Sequence, residues 1–173
     1  LREKIRESFG DGVQASISMG PLRSVRIFLL GDVAKPGSYV VSSLSTMTNA
    51  LFAGGGITEV GSMRNIQLKR KGVLKSQLDL YDLLLKGDTS GDAQVLPGDV
   101  IFAPPVGRVV GLKGAVRRPA YYELKEENEL GELLKLAGGL LPTSFASLCR
   151  VERIGESGQR EVVNVDLGKP EGL

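Results

Sequence analysis

The stretch Leu29-Leu30-Gly31-Asp32-Val33-Ala34-Lys35-Pro36-Gly37-Ser38-Tyr39 returns 83 residues later as Leu112-Lys113-Gly114-Ala115-Val116-Arg117-Arg118-Pro119-Ala120-Tyr121-Tyr122. Leu, Gly, Val, Pro and Tyr stand at the same five offsets in both, so the chain contains an internal repeat. The register runs on without a gap: Leu51 meets Leu134, and Gly55-Gly56 meets Gly138-Gly139. Similar residues extend it, with Met47 facing Leu130, Ile57 facing Leu140, Leu68 facing Val151 and Arg70 facing Arg153. Eight of the 33 positions from 25 to 57 are identical to their counterparts from 108 to 140, too many for chance agreement of composition. Further on the match resumes at a shift of 87, where Leu78-Asp79-Leu80 meets Val165-Asp166-Leu167. The second copy therefore carries a hairpin four residues longer.

One series of elements can be read in each copy. Val25-Arg26-Ile27-Phe28-Leu29-Leu30 is β-branched and apolar, as a largely buried strand should be. Lys35-Pro36-Gly37-Ser38 is a turn, with Pro presetting φ and Gly37 free to take a positive value. Tyr39-Val40-Val41 returns as a second strand. Ser45 or Thr46 can cap a helix that buries Met47, Ala50 and Leu51, and Gly54-Gly55-Gly56 ends it. Asn65-Ile66-Gln67-Leu68-Lys69-Arg70 alternates as a half-exposed strand, and Lys71-Gly72 turns it into a partner over residues 76–80. A short apolar turn covers residues 81–85. Leu96-Pro97-Gly98-Asp99 then leads into a last strand, Val100-Ile101-Phe102-Ala103, stopped by Pro104-Pro105. This order predicts an α+β protein made of two tandem β-grasp domains, each a mixed sheet curled around one helix. The boundaries expected are 21–105 and 108–173. Residues 1–20 lie outside both, as a short helix (1–9) and a strand with Val13, Ala15, Ile17 and Met19 on one face.

Composition narrows the function. With 22 basic and 20 acidic residues, the net charge of +2 gives no footprint for nucleic acid. The chain has no His, the commonest general base and metal ligand, and no loop with calcium spacing. The expectation is a non-enzyme with no metal and no cofactor. No apolar run approaches the length of a membrane span, and the charged start is not a signal peptide. A single cysteine, Cys149, excludes an internal disulfide. It aligns with Ile66 and is expected to be buried as a small apolar residue.

Several motifs have a structural and a functional reading. Gly54-Gly55-Gly56 is followed by Ile57-Thr58-Glu59 and not by Lys-Ser/Thr, so it reads as a helix end and not as a phosphate loop. Leu96-Pro97-Gly98-Asp99 reads as a turn. The matched acids Asp79 and Asp166 have no matched acid or base beside them, which favours an exposed strand position or a turn bond.

Taken together, Val33 to Tyr39, the helix into Ala53-Gly54-Gly55-Gly56, the strand Ile66-Gln67-Leu68-Lys69-Arg70 and Leu96-Pro97-Gly98-Asp99-Val100-Ile101 resemble the soluble-ligand-binding β-grasp (SLBB) domain of bacterial polysaccharide export proteins. Val13-Gln14-Ala15-Ser16-Ile17-Ser18 resembles the tail of the export domain that precedes SLBB repeats in that family, and so accounts for 1–20. The resemblance implies a non-catalytic periplasmic module of an exporter of capsule or exopolysaccharide, on the periplasmic side of the outer membrane. Its implied partners are the polysaccharide, further copies of the protein in a homo-oligomeric ring, and an inner-membrane polysaccharide co-polymerase. A small-molecule or cofactor-binding β-grasp module is the alternative.

On this reading the candidate ligand-binding residues are Lys35, Tyr39, Arg117, Arg118 and Tyr122. Each tyrosine follows its hairpin turn by the same offset, where an aromatic either covers the helix or stacks on a sugar ring. Lys35, Arg117 and Arg118 flank the turns, and Lys69, Arg70, Arg150 and Arg153 are expected on exposed hairpins. A basic rim would suit an acidic glycan, although a solvated face is the ordinary reading. Because Ala120 cannot take a positive φ cheaply, the second copy is expected to use a different turn from the first. The closing strand of copy two has its counterpart near positions 187–190, so copy two is expected to lack its last strand and to leave a slot between two hairpins.

Overall fold

The computed structural model describes residues 23–155 and 158–168. The helix, strand and domain tail read for 1–20 lie outside the described residues. Copy one runs β1 (Ser24–Gly31), β2 (Gly37–Ser42), α1 (Met47–Ala53), β3 (Ile66–Arg70), β4 (Val73–Leu78), a π-helical turn (Asp82–Lys86) and β5 (Val100–Ala103). Its five strands form one sheet in the order β2-β1-β5-β3-β4. The closing strand β5 sits at the centre, parallel to β1 from Phe28 opposite Val100 to Gly31 opposite Ala103. On its other side β5 is antiparallel to β3, with Gln67 opposite Phe102 and Lys69 opposite Val100. This is the β-grasp arrangement, and the protein is α+β.

The core lies between the sheet and α1. Ile27, Leu29, Met47, Leu51, Ile66, Leu68, Val95 and Ile101 are fully buried there. β1 is not buried on both faces as its composition suggests: Val25, Ile27 and Leu29 point inward while Phe28 and Leu30 are exposed. One helix covers one face of the sheet, and alternate side chains of any strand must leave by the other. Thr46 is the N-cap of α1, and the Asn49 side chain accepts the Thr46 N–H at 3.1 Å. At the other end the Gly56 N–H reaches the Leu51 carbonyl at 2.9 Å, closing the helix on its glycine run.

Copy two contains β6 (Arg108–Leu112), β7 (Ala120–Leu124), α2 (Leu130–Leu136), β8 (Cys149–Ile154) and β9 (Arg160–Val165). The repeat holds at the level of single bonds. Ala34 N–H to Gly56 O, 3.0 Å, recurs as Arg117 N–H to Gly139 O, 3.0 Å. Thr58 N–H to Asp32 O recurs as Leu141 N–H to Ala115 O, and the α1 closure recurs as Gly139 N–H to Leu134 O. Leu80 N–H to Met63 O recurs as Leu167 N–H to Ala146 O, its acceptor displaced by 83 residues and its donor by 87.

The two copies reverse in the same register, and the expected difference is confined to one residue, since Gly37 has a positive φ and Ala120 does not. Gly37 opens β2 opposite Leu29, and Ala120 opens β7 opposite Leu112 in the same register. Gly37 keeps a positive φ of 156°, but as a strand residue near the extended margin, and the chain reverses the same way in both copies. The glycine that the turn cannot spare is the earlier one. Gly31 has φ 83°, and a Cβ there would stand 2.1 Å from the Ala103 carbonyl oxygen of β5. Left-handed backbone and a collision with the central strand act together, so Gly31→Val is expected to destabilise copy one by more than about 2 kcal/mol. Urea denaturation of the variant checks this; a midpoint unchanged from the parent would show that β5 does not pack on Gly31.

The sheet of copy two is not continuous. β6 pairs with β7 and β8 with β9, but among the described residues no strand joins the two hairpins. Burial falls accordingly: Val110 and Leu112, counterparts of the fully buried Ile27 and Leu29, are only partly covered. Cys149 is also only half-buried, against an Ile66 with no exposure, and that burial pushes its thiol pKa up. The expected fully buried cysteine is corrected, because the strand that covers β3 in copy one has no equivalent here among the described residues.

Candidate functional site

The most closely built polar cluster lies where the two copies meet. Arg64, in the loop before β3, is 6% exposed. Its Nε donates to Asp79 Oδ2 at 3.1 Å, and its Nη1 donates to the Glu127 carboxylate at 2.8 Å and to the Glu123 carbonyl at 3.1 Å. One guanidinium thus binds the end of β4 in copy one and the β7–α2 loop in copy two. The planar fork of arginine suits several acceptors at once. Below it lies Tyr81, whose ring centre is 4.8 Å from the guanidinium carbon and which meets Tyr122 edge-on at 6.3 Å.

Copy two answers with backbone and carboxylate. Glu123, on β7, is buried, and its carboxylate accepts the N–H groups of Met63 (2.9 Å), Arg64 (3.3 Å) and Gly107 (3.1 Å). Its own N–H donates to the Tyr81 hydroxyl at 3.0 Å. Successive residues of a strand face opposite ways, so β7 sends Tyr122 toward its own helix and Glu123 toward copy one.

The electrostatics favour full ionisation. Burial alone would lower the Arg64 pKa, but the hydrogen bond to Glu127 and the charge of Asp79 outweigh it and raise the value. Burial likewise opposes ionisation of Glu127, yet the Lys125 N–H and the Arg64 guanidinium hold its carboxyl down at about 2. Burial is the main cause that pushes the Tyr81 hydroxyl up, so it remains protonated.

The matched acids do share a turn role. Asp79 Oδ1 accepts the Tyr81 N–H, and Asp166 Oδ1 accepts the Gly168 N–H, each at 2.9 Å. Asp79 is not exposed, however, because it also carries the Arg64 pair. Asp99 is likewise more than a turn residue. Wholly buried, it accepts the Leu96 N–H and takes both Nε and Nη2 of Arg70 at 2.7 and 2.8 Å. Burial pushes its pKa up, but Arg70 and the Leu96 N–H prevail and lower it. Arg70 is therefore not a free cation on an exposed hairpin. Lys69 lies over the Phe102 ring at 4.7 Å, and Arg153 pairs with Glu161 at 3.0 Å on the surface.

The five sequence-predicted site residues fall at the two equivalent turns, three in copy two and two in copy one. Both tyrosines serve the core. Tyr39 packs against the first cluster with its hydroxyl on the Lys35 carbonyl at 2.7 Å; Tyr122, 6% exposed, repeats the bond on the Arg118 carbonyl at 2.6 Å. Tyr122 thus has no face open to a sugar ring. Arg118 donates to the Leu136 carbonyl at the end of α2, 2.9 Å away. Lys35 and Arg117 are exposed, and among the described residues neither side chain has an ion-pair partner. Sequence reasoning missed Arg64, Glu123 and Glu127. Their signal was mismatch between copies: their counterparts are Ser147, Val40 and Leu44.

An open cleft of about 750 Å³ lies in copy two, between β6 and β8, bordered by Leu134 and Leu140. The described residues contain no helix long and apolar enough to cross a membrane. Arg64, with Asp79 on one side and Glu127 on the other, joins the copies, whereas Arg70 with Asp99 and Arg153 with Glu161 pair within a single copy.

Comparison with known proteins agrees with this architecture. A family model of the SLBB domain matches residues 25–103, and a second SLBB model matches residues 109–164. Two curated relatives, each named polysialic acid transport protein KpsD and each from Escherichia coli, are 29% identical over 129 residues, covering 74% of this chain and 23% of theirs. The chain thus spans less than a quarter of the length of these relatives. Two SLBB matches in tandem, each coinciding with one copy of the repeat, place the chain in the SLBB-domain family of polysaccharide export proteins.

Proposed function

We propose that residues 21–105 and 108–173 are two SLBB domains serving as a non-catalytic, load-sharing module of a polysaccharide export protein, on the periplasmic side of the outer membrane. The observation that carries this reading is the buried junction: Arg64, Glu123 and Glu127 spend their charges on fastening one domain to the next. In the full protein the tandem forms part of the wall of a homo-oligomeric translocation channel, next to an inner-membrane co-polymerase, and residues 1–20 are the end of the preceding export domain. The similarity to a polysialic acid transport protein supports an acidic polymer as cargo. Deleting the codons for residues 25–165 from the full gene in its own host is expected to leave polymer synthesis intact and to trap the product inside the cell. Normal surface polymer in that strain would overturn the reading.

Direct contact with the glycan, on this proposal, falls to Lys35 and Arg117, with Arg118 contributing what its helix-end bond leaves free. Tyr39 and Tyr122 support these turns from beneath. Such contacts are solvent-exposed, so binding of an acidic oligosaccharide is expected to be weak and to fade as salt shortens the screening length below roughly 10 Å. The double variant Arg117→Glu, Arg118→Glu is expected to weaken it further. NMR titration at low ionic strength checks this, and unmoved amide signals at residues 35–39 and 117–122 would remove the contact while leaving the scaffold.

A further inference from the structure

Two tyrosines stand side by side on β7, and a strand sends consecutive side chains to opposite faces. Tyr122 turns inward and is 6% exposed; Tyr121 turns outward and is 71% exposed. The core accounts for the first only. The register shows what the second replaces. Copy one sets Phe28 of β1 opposite Ser38 of β2, and copy two sets Gly111 of β6 opposite Tyr121 of β7. The aromatic ring has moved to the outermost strand, and its exposure is nearly twice the 37% of Phe28. That position is open in a closed sheet as well, since Ser38, on the edge strand of the five-stranded sheet, is exposed.

Gly111 lets the ring lie where it does. It sits within β6 without a positive φ, so its backbone conformation does not call for glycine. A Cβ there would stand 2.9, 3.2 and 3.7 Å from Tyr121 Cε1, Cδ1 and Cζ. One edge of the ring therefore lies across the bare backbone of β6, and most of the side chain faces solvent. Two residues on, Lys113 stands in the place of Leu30, its Nζ 6.0 Å from the ring centre, at the outer limit of a cation–π contact. Glu152, which feels the charge of Lys113, is already paired with Arg160. The corresponding face of copy one differs in both respects: it carries Leu30 and not a lysine, and its Phe102 ring is already covered by Lys69 at 4.7 Å.

We propose that the outer face of the β6–β7 hairpin binds one pyranose ring of an acidic glycan, stacked on Tyr121 and with its carboxylate taken by Lys113. The C–H bonds on one face of a pyranose carry slight positive charge and meet the negative face of an aromatic ring, while the ammonium beside that ring supplies the counter-charge. Both contacts are solvent-exposed, so each is weak and readily reversed. The site rests on the acidic-glycan reading and deepens it. It gives the stacking role to Tyr121, in copy two alone, because Tyr39 and Tyr122 have turned their rings to the core.

Oligosialic acid titrated into the 173-residue protein at low ionic strength is expected to shift the aromatic C–H signals of Tyr121, and saturating those protons should transfer to protons of the sugar ring. Tyr121→Ser, which sets the residue of copy one at an exposed position, should weaken binding about fivefold to tenfold with the amide spectrum otherwise intact. Tyr121→Phe should bind as the parent does, since the ring and not the hydroxyl makes the contact. Lys113→Gln should weaken binding and reduce its salt dependence while the Tyr121 signals still move. Parent-like binding by Tyr121→Ser, with shifts confined to residues 35–39 and 117–119, would overturn the stacking site and leave glycan contact at the turns standing. No shift anywhere in the parent would bring down the acidic-glycan reading and the site with it. Equal affinity for a neutral oligosaccharide of the same length would overturn the acidic class of ligand.

Discussion

Arg64→Ala is expected to destabilise the tandem by about 3–5 kcal/mol, the usual effect of removing one partner from a buried ionic cluster. The magnitude follows from what is left behind. Asp79 is buried and would keep its Tyr81 N–H and the more distant Lys125 at 3.7 Å, while Glu127 would lose its guanidinium and the Glu123 carbonyl its donor. Tyr81 would also lose the cation over its ring. The loss should be felt first as separation of the two domains. Urea denaturation followed by NMR should show copy two melting at lower denaturant than copy one, and the halves tumbling independently at the lowest concentrations. A single transition at the parent midpoint would mean that the junction does not couple the domains. Arg64→Lys should recover only part of the stability, because an ammonium cannot address Asp79, Glu127 and a carbonyl in one plane.

Acid should act on the same junction. Glu127 has its pKa lowered from the ordinary 4.5 to about 2, against the burial that favours its neutral form, by the Lys125 N–H and Arg64. A carboxyl depressed in the folded protein stabilises it fully above its unfolded value and ceases to do so as pH falls toward the folded value. The junction is therefore expected to lose roughly 3 kcal/mol between about pH 4.5 and pH 2. Asp99 shifts in the same direction and adds an acid-sensitive contribution inside copy one. Denaturation midpoints measured from pH 7 down to pH 2 should fall across that window, and Glu127→Gln should flatten the profile while lowering the plateau. A parent profile as flat as that of the variant would show that Glu127 is not held as an anion in the fold.

The fold was legible because its punctuation is repeated. Pro36 with Pro119, and Gly55-Gly56 with Gly138-Gly139, mark the same turn and the same helix end twice, and a coincidence of that kind cannot come from one local propensity. Even the central position of β5 followed from element order. Two features were out of reach. The turn chemistry was assigned to Gly37 because Pro-Gly reads as a turn, whereas the constraint sits at Gly31, where the central strand passes; a close approach of backbones leaves no mark beyond the glycine itself. Arg70 and Asp99 were read separately, as a surface cation and a turn acid, since 29 residues divide them and only the pairing of β3 with β5 brings them together. The junction was hidden for a different reason. A repeat is found by agreement, and Arg64, Glu123 and Glu127 are positions where the copies disagree.

That disagreement gives the junction a polarity. The surface of copy one that receives its neighbour is made by Arg64, Asp79 and Tyr81; copy two has Ser147, Asp166 and Gly168 at those places. The surface of copy two that docks uses Tyr122, Glu123 and Glu127, where copy one has Tyr39, Val40 and Leu44. Among the described residues head and tail are each complete once, and the contact satisfies both within a single molecule. A head-to-tail contact that recurred on every domain would propagate into an open filament. Here four side chains that differ between the copies, Arg64, Tyr81, Glu123 and Glu127, direct the contact one way along the chain.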